Sequence, residues 1–490
     1  MTAGSLVAGL PGLRLHGAAD APVTGIALDS RAVRPGDLFA ALAGARADGR
    51  AFVPDALARG ASAVLSAPPR PAAGGAAWIE ADEPRAALAS VAKRFHGAPD
   101  ERLSVIGITG TNGKTTTALL LAGALGAAGR PCAVGGTLGL IGVDPAARAT
   151  TSLTTPEAPA LWAFLAAVAR DGARAAALEV SSAALVAERV HGMRFAAAIL
   201  TGIGHDHLDL HGTHEAYRAA KRRLFAQLPA GAVAVLPADD AYVREFAAAA
   251  GAARVVTFGD GTGDWQIRDH RPGPRGARFF LEGPGFAGEV ALARPGPWDA
   301  RNLAAAVATA VALGADPREA VRGACGVQVV PGRWEIVDAG QPFTAIVDFA
   351  HTPQALERVL GQLRRTTRGK VIAVFGCGGE RDAAKRPQMG RIAGLLADIV
   401  IVTDDNPRGE DREAIAAAIL EGLADGSAAA ERCADRALAI RHAVALAGPG
   451  DAVLVAGKGH EAYQETAGRK VPFDDREVLR AAIRGRGDRA

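Results

Sequence analysis

A glycine-rich turn directly after an apolar run constrains the fold of this chain more than any other stretch. The run at residues 103–108 leads into Gly110-Thr-Asn-Gly-Lys-Thr115, and a helical pattern follows. Without side chains at 110 and 113, backbone N–H groups can turn toward an anion, while Lys114 adds a positive charge. Thr115 offers a hydroxyl to Mg²⁺ at the helix N-terminus. The order of strand, loop and helix predicts a phosphate-binding loop in a parallel β/α domain.

This loop departs from the strict form of its motif. The strict form has a glycine where Ile108 stands, so the sequence is a variant with glycines at 107, 110 and 113. A plain glycine turn with a solvated lysine is the alternative. The position of the loop between a strand and a helix favours phosphate binding.

Length and composition predict a globular protein with several domains. At roughly 100–200 residues per domain, 490 residues predict about three. A net charge of +3 with nearly balanced acids and bases predicts no nucleic-acid partner. The cysteines form no C-x-x-C pair, which argues against a disulfide framework or a thiolate zinc site. No leader-like start and no apolar run of ~18 residues is present, so we expect a cytoplasmic protein without membrane insertion.

Changes of pattern along the chain predict α/β domains at 1–99, 100–331 and 332–490. The first is a small α/β domain with an alanine-rich helix at 85–95, and 97–101 is a linker candidate. Beyond it, apolar runs alternate with helical stretches, which is typical of parallel sheets. These runs lie at 103–108, 175–178, 195–200, 232–236, 345–347, 371–375, 399–402 and 452–455.

The residues directly after each apolar run are candidate site residues, because ligands of open parallel sheets bind beyond the carboxyl ends of the strands. Glu179 follows the second run, and a stretch with four histidines, His205 to His214, follows the third. Zinc is one interpretation of these histidines, and a solvated polar loop is another. Mg²⁺ bound through oxygens of Thr115 and Glu179, joined by His207, fits a nucleotide loop better.

Lys221 stands on the apolar face of a predicted helix at 213–228, for which Thr213 is the N-cap candidate. The apolar stripe of this helix consists of Tyr217, Leu224, Phe225 and Leu228. A lysine on an inward face needs a partner, a lowered pKa or a chemical modification. A lysine at the edge of the stripe that extends its ammonium into solvent is the alternative.

These motifs together resemble the Mur ligase family over essentially the whole chain, and within it the members that add 2,6-diaminopimelate. The stretches that carry the resemblance are Gly110-Thr-Asn-Gly-Lys-Thr115, Glu179-Val-Ser-Ser182, Asp206-His-Leu-Asp209, Gly332-Arg-Trp-Glu335, Asp348-Phe-Ala-His-Thr-Pro353, Gly378-Gly-Glu-Arg-Asp382, Lys385-Arg-Pro387, Asp405-Asn-Pro-Arg408 and Gly457-Lys-Gly-His-Glu461.

The resemblance implies an ATP-dependent ligase of peptidoglycan biosynthesis that acts as a monomer. It would add meso-2,6-diaminopimelate to the D-glutamate γ-carboxylate of UDP-N-acetylmuramoyl-L-alanyl-D-glutamate, with Mg²⁺ bound. A carboxylate does not lose oxide to an amine at neutral pH, so ATP must first convert it to an acyl phosphate. Fixed positioning and neutralisation of charge then account for most of the catalysis.

The resemblance also implies roles for individual residues. ATP would be bound by Gly110, Thr111, Asn112, Gly113, Lys114, Thr115, Thr116, Asn302, Asp348 and His351. The UDP substrate would be bound by Leu28, Ser30, Ala45, Arg46, Ala47, Thr154, Thr155, Ser181 and Arg189. Diaminopimelate would be bound by Arg381, Asp405, Asn406, Pro407, Arg408, Gly457 and Glu461. The catalytic residues would be Lys114, Glu179, His207 and Lys221, and the metal ligands Thr115, Glu179, His207 and Lys221, the last as N6-carboxylysine.

Departures from the family pattern concern single substrate contacts. Leu153, Ala187, Gly202, Ala45 and Phe349 stand where relatives often have Asn, Gln, Asn, His and Tyr.

Three other functions compete with this interpretation. An L-lysine-adding ligase is disfavoured by Arg408, and a folylpolyglutamate synthase-like ligase by the UDP-type first domain. A nucleotide switch or motor would release phosphate without an amine acceptor.

Overall fold

The computed structural model describes residues 1–44, 47–70, 75–204, 206, 208–273 and 275–487. The described residues form two compact units. The first comprises Met1–Gln266, Gly283–Phe286 and Asn302–Ala324, and the second comprises Ile267–Glu282, Ala287–Arg301 and Cys325–Ala490. The predicted domain boundaries near 99 and 331 stay predictions.

The N-terminal part of the first unit folds around a mainly parallel sheet. Its elements are α1 (Ala3–Val7), β1 (Leu13–His16), β2 (Gly25–Ala27), β3 (Asp37–Ala41), α2 (Val53–Ala58), β4 (Ala63–Ser66), β5 (Ala77–Ala81) and α3 (Pro84–Phe95). The strand order is β1-β5-β4-β3-β2, and β1 runs antiparallel to β5. Strands β3 and β4 are buried along their whole length, as expected for parallel strands covered on both faces. Helix α3 confirms the helix predicted at 85–95.

The larger part of the first unit places the phosphate loop at the centre of a second sheet. Its elements are β6 (Ser104–Thr109), α4 (Lys114–Ala127), β7 (Cys132–Gly136), β8 (Gly139–Ile141), β9 (Arg148–Ala149), α5 (Ala158–Arg170), β10 (Ala175–Glu179), α6 (Ser182–Val186), β11 (Phe195–Leu200), α7 (Leu208–His211), α8 (His214–Ala226), β12 (Val233–Pro237), α9 (Val243–Ala249) and β13 (Arg254–Asp260). The order β13-β12-β11-β6-β10-β7-β8-β9 puts β6 between β11 and β10, parallel to both. The loops that follow these three strands therefore meet at one edge.

The stretch at 97–101, predicted as a linker, is held in place by Asp100. Asp100 is buried, and its Oδ2 accepts hydrogen bonds from Lys93 Nζ at 2.7 Å and from the Arg194 backbone N–H at 2.8 Å. Lys93 Nζ also lies 5.5 Å from the centroid of the Trp162 ring. A buried carboxylate that is paired in this way ties α3 to the segment before β11.

The sequence pattern did not predict the helices and strands of the next part of the chain. It contains β14 (Trp265–Gly273), β15 (Gly276–Gly283), β16 (Phe286–Leu292), α10 (Pro297–Ala312) and α11 (Pro317–Cys325). Strands β14, β15 and β16 are consecutive neighbours in a sheet.

The C-terminal part of the second unit is a doubly wound α/β sheet, as predicted. Its elements are β17 (Glu335–Ile336), β18 (Thr344–Asp348), α12 (Pro353–Thr366), β19 (Val371–Phe375), α13 (Lys385–Leu396), β20 (Ile399–Val402), α14 (Arg412–Leu423), β21 (Ala429–Arg432), α15 (Arg436–Leu446), β22 (Ala452–Ala456), β23 (Tyr463–Thr466), β24 (Arg469–Pro472) and α16 (Asp475–Gly487). The order is β17-β18-β22-β19-β20-β21, with β17 antiparallel and the rest parallel, and β23 pairs with β24 as a hairpin. Separate apolar clusters cover the two faces of the sheet. Among the described residues, none of the helices combines the length and apolar character that crossing a bilayer requires.

Candidate active site

The phosphate loop has the geometry of an anion-binding turn. Helix α4 begins at Lys114, directly after Gly113, whose φ is 89°, and Gly110 has a φ of 144°. A Cβ at Gly110 would collide with Thr201 Oγ1, and a Cβ at Gly113 would collide with Asn302 Oδ1. The loop therefore needs glycine at both positions, and the helix N-terminus directs backbone N–H groups toward the space in front of it.

Two lysine side chains converge on one carbonyl of this loop. Lys114 Nζ donates to the Gly110 carbonyl at 2.8 Å and to the Thr111 carbonyl at 3.0 Å. Lys221 Nζ donates to the same Gly110 carbonyl at 2.9 Å. Burial lowers the pKa of Lys221 well below 10.5, the nearby Lys114 charge lowers it further, and Asp206 offsets a part of this shift.

Helix α8 holds Lys221 inward, as predicted. Thr213 is the N-cap and its Oγ1 accepts a hydrogen bond from the Ala216 backbone at 3.1 Å. Lys221 is 1% exposed, so the interpretation as an edge lysine with a solvated ammonium is wrong. Tyr217, Leu224 and Phe225 of the predicted stripe are buried beside it. The helix ends at Ala226, earlier than predicted, and Leu228 is partly buried beyond it.

Glu179 lies beside the phosphate loop at the end of β10. Its Oε2 accepts hydrogen bonds at 3.0 Å from both Thr115 Oγ1 and Thr137 Oγ1, and its Oε1 accepts one at 2.8 Å from the Thr137 backbone. A Cβ at Gly136 would collide with the carboxylate, so the neighbouring strand must leave this space open. The set of one carboxylate and two hydroxyls fits Mg²⁺, which prefers oxygen ligands.

The histidine-rich stretch is only partly described. His205 and His207, the latter predicted as a catalytic residue and metal ligand, lie outside the described residues. Within the described part of the chain, no group of three or more His, Cys, Asp or Glu side chains could hold a metal.

Thr137 is a site residue that the sequence analysis missed. Besides its two contacts with Glu179, its hydroxyl lies 3.3 Å from Thr154 Oγ1. It thus connects the predicted metal carboxylate to a residue predicted to bind the dipeptide. The signal was present, because Thr137 is the first polar residue after the short apolar strand β7.

The residues predicted to bind the dipeptide lie together. Thr155 Oγ1 donates to the Glu179 carbonyl at 2.8 Å and accepts from the Ser181 backbone N–H at 3.0 Å. Arg189 Nη1 donates to the Thr155 carbonyl at 3.1 Å, and Arg189 Nε donates to Glu157 at 2.9 Å. The structure thus places Thr155 next to Glu179 and Ser181, while Arg189 contacts Thr155 and Thr154 is connected to Glu179 through Thr137.

The residues predicted to bind UDP follow β2 and β3. Leu28 is exposed, and the buried Ser30 begins a short 3-10 helix, Ser30–Ala32. The Ala47 carbonyl accepts a hydrogen bond from the Gly44 backbone at 2.9 Å. Ala45 and Arg46 lie outside the described residues.

Asp348 and His351 belong to the second unit, whereas the other predicted ATP residues belong to the first. Asp348 Oδ2 accepts a hydrogen bond from the Trp334 backbone at 2.7 Å, and burial raises the pKa of Asp348 to about 6. His351 Nδ1 lies 2.9 Å from the Phe349 carbonyl, and Arg333 stacks on the Phe349 ring with 4.4 Å to its centroid.

The predicted diaminopimelate residues follow β19, β20 and β22 at one edge of the C-terminal sheet. The side chain of Lys458, which the sequence analysis did not single out, holds two of them together. Its Nζ donates to Asn406 Oδ1 at 3.0 Å and lies 3.2 Å from Glu461 Oε2, while Asn406 Nδ2 donates to the same carboxylate oxygen at 2.9 Å. Lys458 is 0% exposed.

Arg408 has a backbone conformation that the sequence did not predict. Its φ is 54°, in the left-handed region that non-glycine residues rarely adopt, so contacts with the surrounding residues must hold it. Its backbone N–H donates to the Glu465 carbonyl at 3.1 Å, and its Nη1 donates to the Gly379 carbonyl at 2.7 Å. Arg381, in the loop after β19, is exposed.

Three family models match consecutive stretches of the chain. The Mur ligase family catalytic domain matches residues 22–96, the Mur ligase middle domain 108–310, and the Mur ligase glutamate ligase domain 332–459. The chain belongs to the Mur ligase family. The predicted family, ligase class and three-domain α/β fold are confirmed, and the residue roles stay predictions.

Relatives of this Mur ligase match it along almost their whole length. The UDP-N-acetylmuramoyl-L-alanyl-D-glutamate--2,6-diaminopimelate ligase of Streptomyces coelicolor is 45% identical over 477 residues, which cover 95% of this chain and 93% of the relative. The ligase of the same name from Solibacter usitatus is 43% identical over 472 residues, 96% of this chain and 95% of the relative. A solved structure of a ligase with this name has a TM-score of 0.71 and 35% identity, and covers 99% of this chain and 100% of its own.

Proposed function

We propose that this Mur ligase adds meso-2,6-diaminopimelate to UDP-N-acetylmuramoyl-L-alanyl-D-glutamate, using ATP, in peptidoglycan biosynthesis. The observation that carries the proposal is the near full-length similarity to ligases of that name. The reaction forms an amide at the D-glutamate γ-carboxylate. We also propose that the ligase is cytoplasmic, since ATP and UDP-linked substrates are cytoplasmic. We further propose that it acts as a monomer.

In the first unit, the phosphate loop and Glu179 would activate the carboxylate. The N-terminus of α4 and Lys114 would bind the terminal phosphates of ATP. Thr115 and Glu179 would hold Mg²⁺, with His207 as a further ligand. When bound, the ion neutralises charge that develops as the phosphoryl group moves to the γ-carboxylate.

We propose that Lys221 works as a carbamate. In its unprotonated form the buried amine would attack the carbon of CO₂, so that an N–C bond forms while one C=O π bond opens, one proton is released, and a neutral amine becomes an anionic carbamate. The lowered pKa supports this reaction, because an unprotonated amine is the nucleophile. Labelling with ¹³C-bicarbonate should give a carbamate signal that is absent from Lys221→Ala, and an unlabelled wild-type protein would contradict the proposal.

The other substrate contacts are proposed from the resemblance to the family. The UDP group would contact Leu28, Ser30 and the loop at 45–47, and the dipeptide would contact Thr154, Thr155, Ser181 and Arg189. Asn302, Asp348 and His351 would contact the base or ribose side of ATP.

Arg408 would select the amino acid. Diaminopimelate differs from L-lysine by a second carboxylate, which a guanidinium can bind bidentately. Arg381 would hold the other end of the molecule, with Asp405, Asn406, Pro407, Gly457 and Glu461 around it. L-lysine offers no second carboxylate to Arg408.

Phosphate release measured with the UDP-linked dipeptide and a panel of amino acids tests this function. We expect release to require ATP, the dipeptide and an amino acid together, and diaminopimelate to be preferred over L-lysine. Lys114→Ala should abolish release. Arg408→Ala should weaken use of diaminopimelate by roughly 2–5 kcal/mol. Arg412→Ala, an exposed arginine nearby, is the matched control, and a wild-type preference for L-lysine would refute the proposal.

A further inference from the structure

In the second unit, an ion pair that the reaction does not require joins helix α13, which follows the loop after β19, to the loop after β20. Arg386 Nη1 and Nη2 donate to the two carboxylate oxygens of Glu410 at 2.6 and 2.8 Å, and the Arg386 side chain is 5% exposed. Glu410 Oε2 also accepts from the Glu380 backbone N–H at 2.9 Å. In return, the Gly409 backbone donates to Glu380 Oε1 at 3.2 Å. The loop after β19 and the loop after β20 therefore hold each other through side chains of both.

Backbone contacts join the same two loops. The Gly379 N–H donates to the Asn406 carbonyl at 3.0 Å, and Arg408 Nη1 donates to the Gly379 carbonyl at 2.7 Å. Glu380 and Arg408 face this junction with φ angles of 55° and 54°. Non-glycine residues keep a left-handed conformation only where their surroundings fix it. The two loops are therefore held to each other by backbone and side-chain hydrogen bonds.

Each loop carries one of the arginines assigned to a substrate carboxylate, and the two lie close to Gly378. A Cβ built at Gly378 would stand 3.0 Å from Arg408 Nη1 and 3.8 Å from Arg381 Cγ. A diamino diacid has a carboxylate at each end, separated by a fixed number of methylenes. The spacing between the two arginines therefore determines which length of diacid fits both.

We propose that Glu410 and Arg386 are positioning residues that fix the spacing between Arg381 and Arg408 and thereby select the length of the diamino diacid. The inference rests on the proposed function. A bidentate arginine–carboxylate pair has a defined geometry. The Arg386 side chain is 5% exposed and the Glu410 side chain is 32% exposed. The Glu410 carboxylate, in the loop after β20, accepts hydrogen bonds from Arg386 on α13 and from the Glu380 backbone N–H in the loop after β19, so its loss would let the two loops move apart.

Three substrates of graded length test the proposal: 2,5-diaminoadipate, meso-2,6-diaminopimelate and 2,7-diaminosuberate. We expect the wild type to prefer diaminopimelate by roughly tenfold or more in kcat/KM over either neighbour, the size of a one-methylene discrimination. Glu410→Gln should reduce this preference by about fivefold or more, through KM, with the KM values for ATP and the UDP substrate unchanged. Asp425→Asn is the matched control, because it weakens the exposed ion pair, 2.9 Å apart, between Asp425 and Arg391, which lies on helix α13 as Arg386 does.

Gly378→Ala is a second variant that leaves the ion pair intact. Its added methyl group would push against the Arg408 guanidinium, so the preference should move toward the longer diacid. If Glu410→Gln does not fold, the preference of Gly378→Ala among the three diacids tests the proposal instead.

The proposal is overturned if Glu410→Gln keeps the wild-type preference, or if it lowers kcat equally with all three substrates. In the case of Gly378→Ala, an unchanged preference overturns it. A wild type that uses none of the diacids refutes the proposed function and this inference together, whereas a wild type that uses diaminopimelate limits the failure to the ion pair.

Discussion

Lys221 in the first unit and Lys458 in the second are both shut away from water, with 1% and 0% exposure, but their partners differ. Lys221 Nζ donates to the Gly110 carbonyl at 2.9 Å and lies near the Lys114 charge. Lys458 Nζ lies 3.2 Å from the Glu461 carboxylate and donates to Asn406 at 3.0 Å. Folding supplies a counter-charge to Lys458 in direct contact, whereas it gives Lys221 a carbonyl and a like charge nearby.

The partner of a buried lysine, and not burial itself, therefore separates a structural amine from a reactive one. An ammonium that loses water is stabilised only where an anion replaces the hydration. At Lys221 the loss of water and the Lys114 charge lower the pKa, and the Asp206 charge offsets only a part of this shift. This shift favours the unprotonated form of Lys221, which is the form that the proposed reaction with CO₂ uses.

The largest effect should come from removing the reactive lysine. Lys221→Ala should lower kcat for phosphate release by roughly 10²–10³-fold, as when one preorganised charge is removed from a reaction centre. Added formate or acetate should restore part of the activity, because a small carboxylate can occupy the space of a carbamate. Activity equal to that of the wild type would break the comparison.

Removing the structural lysine should affect stability more than chemistry. Lys458→Met removes one hydrogen-bond donor from Asn406 and the counter-charge of Glu461, at a cost of about 1–3 kcal/mol. The Glu461 side chain is 24% exposed and can be partly rehydrated, which keeps the cost near the lower end. Urea unfolding should show this loss, while Lys221→Met should be neutral or stabilising in CO₂-free buffer. A larger loss of stability in Lys221→Met than in Lys458→Met would contradict the proposed difference between the two lysines.

The dependence of stability on pH sharpens the comparison. Because the pKa of Lys221 is lowered in the folded protein, the unfolded chain binds more protons between that lowered pKa and 10.5. The free energy of unfolding of the unmodified protein should therefore rise with pH across this window, by up to about 1.4 kcal/mol per pH unit. Lys221→Met, measured in the same CO₂-free buffers, should lack this rise. If the free energy of unfolding changed with pH in the same way for both proteins, Lys221 would stay charged across this window.

The smallest effect concerns the aromatic rings beside the two lysines. Lys221 Nζ is 4.5 Å from the centroid of Tyr217, and Lys458 Nζ is 5.4 Å from that of Tyr463. Tyr463→Leu should destabilise by at most about 0.5–1 kcal/mol. Tyr217→Leu should cost more, since the buried Tyr217 hydroxyl also lies 3.0 Å from Thr111 Oγ1. Equal costs would mean that ring contact alone accounts for both.

Buried parallel strands were predictable from sequence because both of their faces are apolar. Strands β11, β19 and β20 have the predicted bounds, since each is an unbroken apolar run between polar residues. Strands β9 and β14 were missed. Their residues are exposed or alternate between the core and solvent, and their sequences contain arginine and proline. Strand pairing at such positions depends on neighbours far away in sequence.

The candidate site was predictable where a functional side chain is the last residue of a strand, as Glu179 and Asp348 are. The supporting residues were not. Lys458 lies within a recognised motif, but its contact with Asn406 spans 52 positions of sequence, and the pair of Arg386 and Glu410 spans 24. The left-handed backbone of Arg408 is held by hydrogen bonds to the hairpin that begins at Tyr463. No local sequence pattern predicts these contacts.

The paired Asp100 has a consequence for attempts to cut the protein into its domains. A protease needs several residues of exposed, extended chain, and the segment from Pro99 to Glu101 offers a short helix with a buried acid instead. Limited digestion should therefore spare this junction. A truncated chain that begins at Asp100 would lack Lys93 and leave a buried carboxylate and the Trp162 ring uncovered. Recombinant removal of the UDP-type domain should yield an aggregating remainder, and dissection of this ligase is better begun elsewhere.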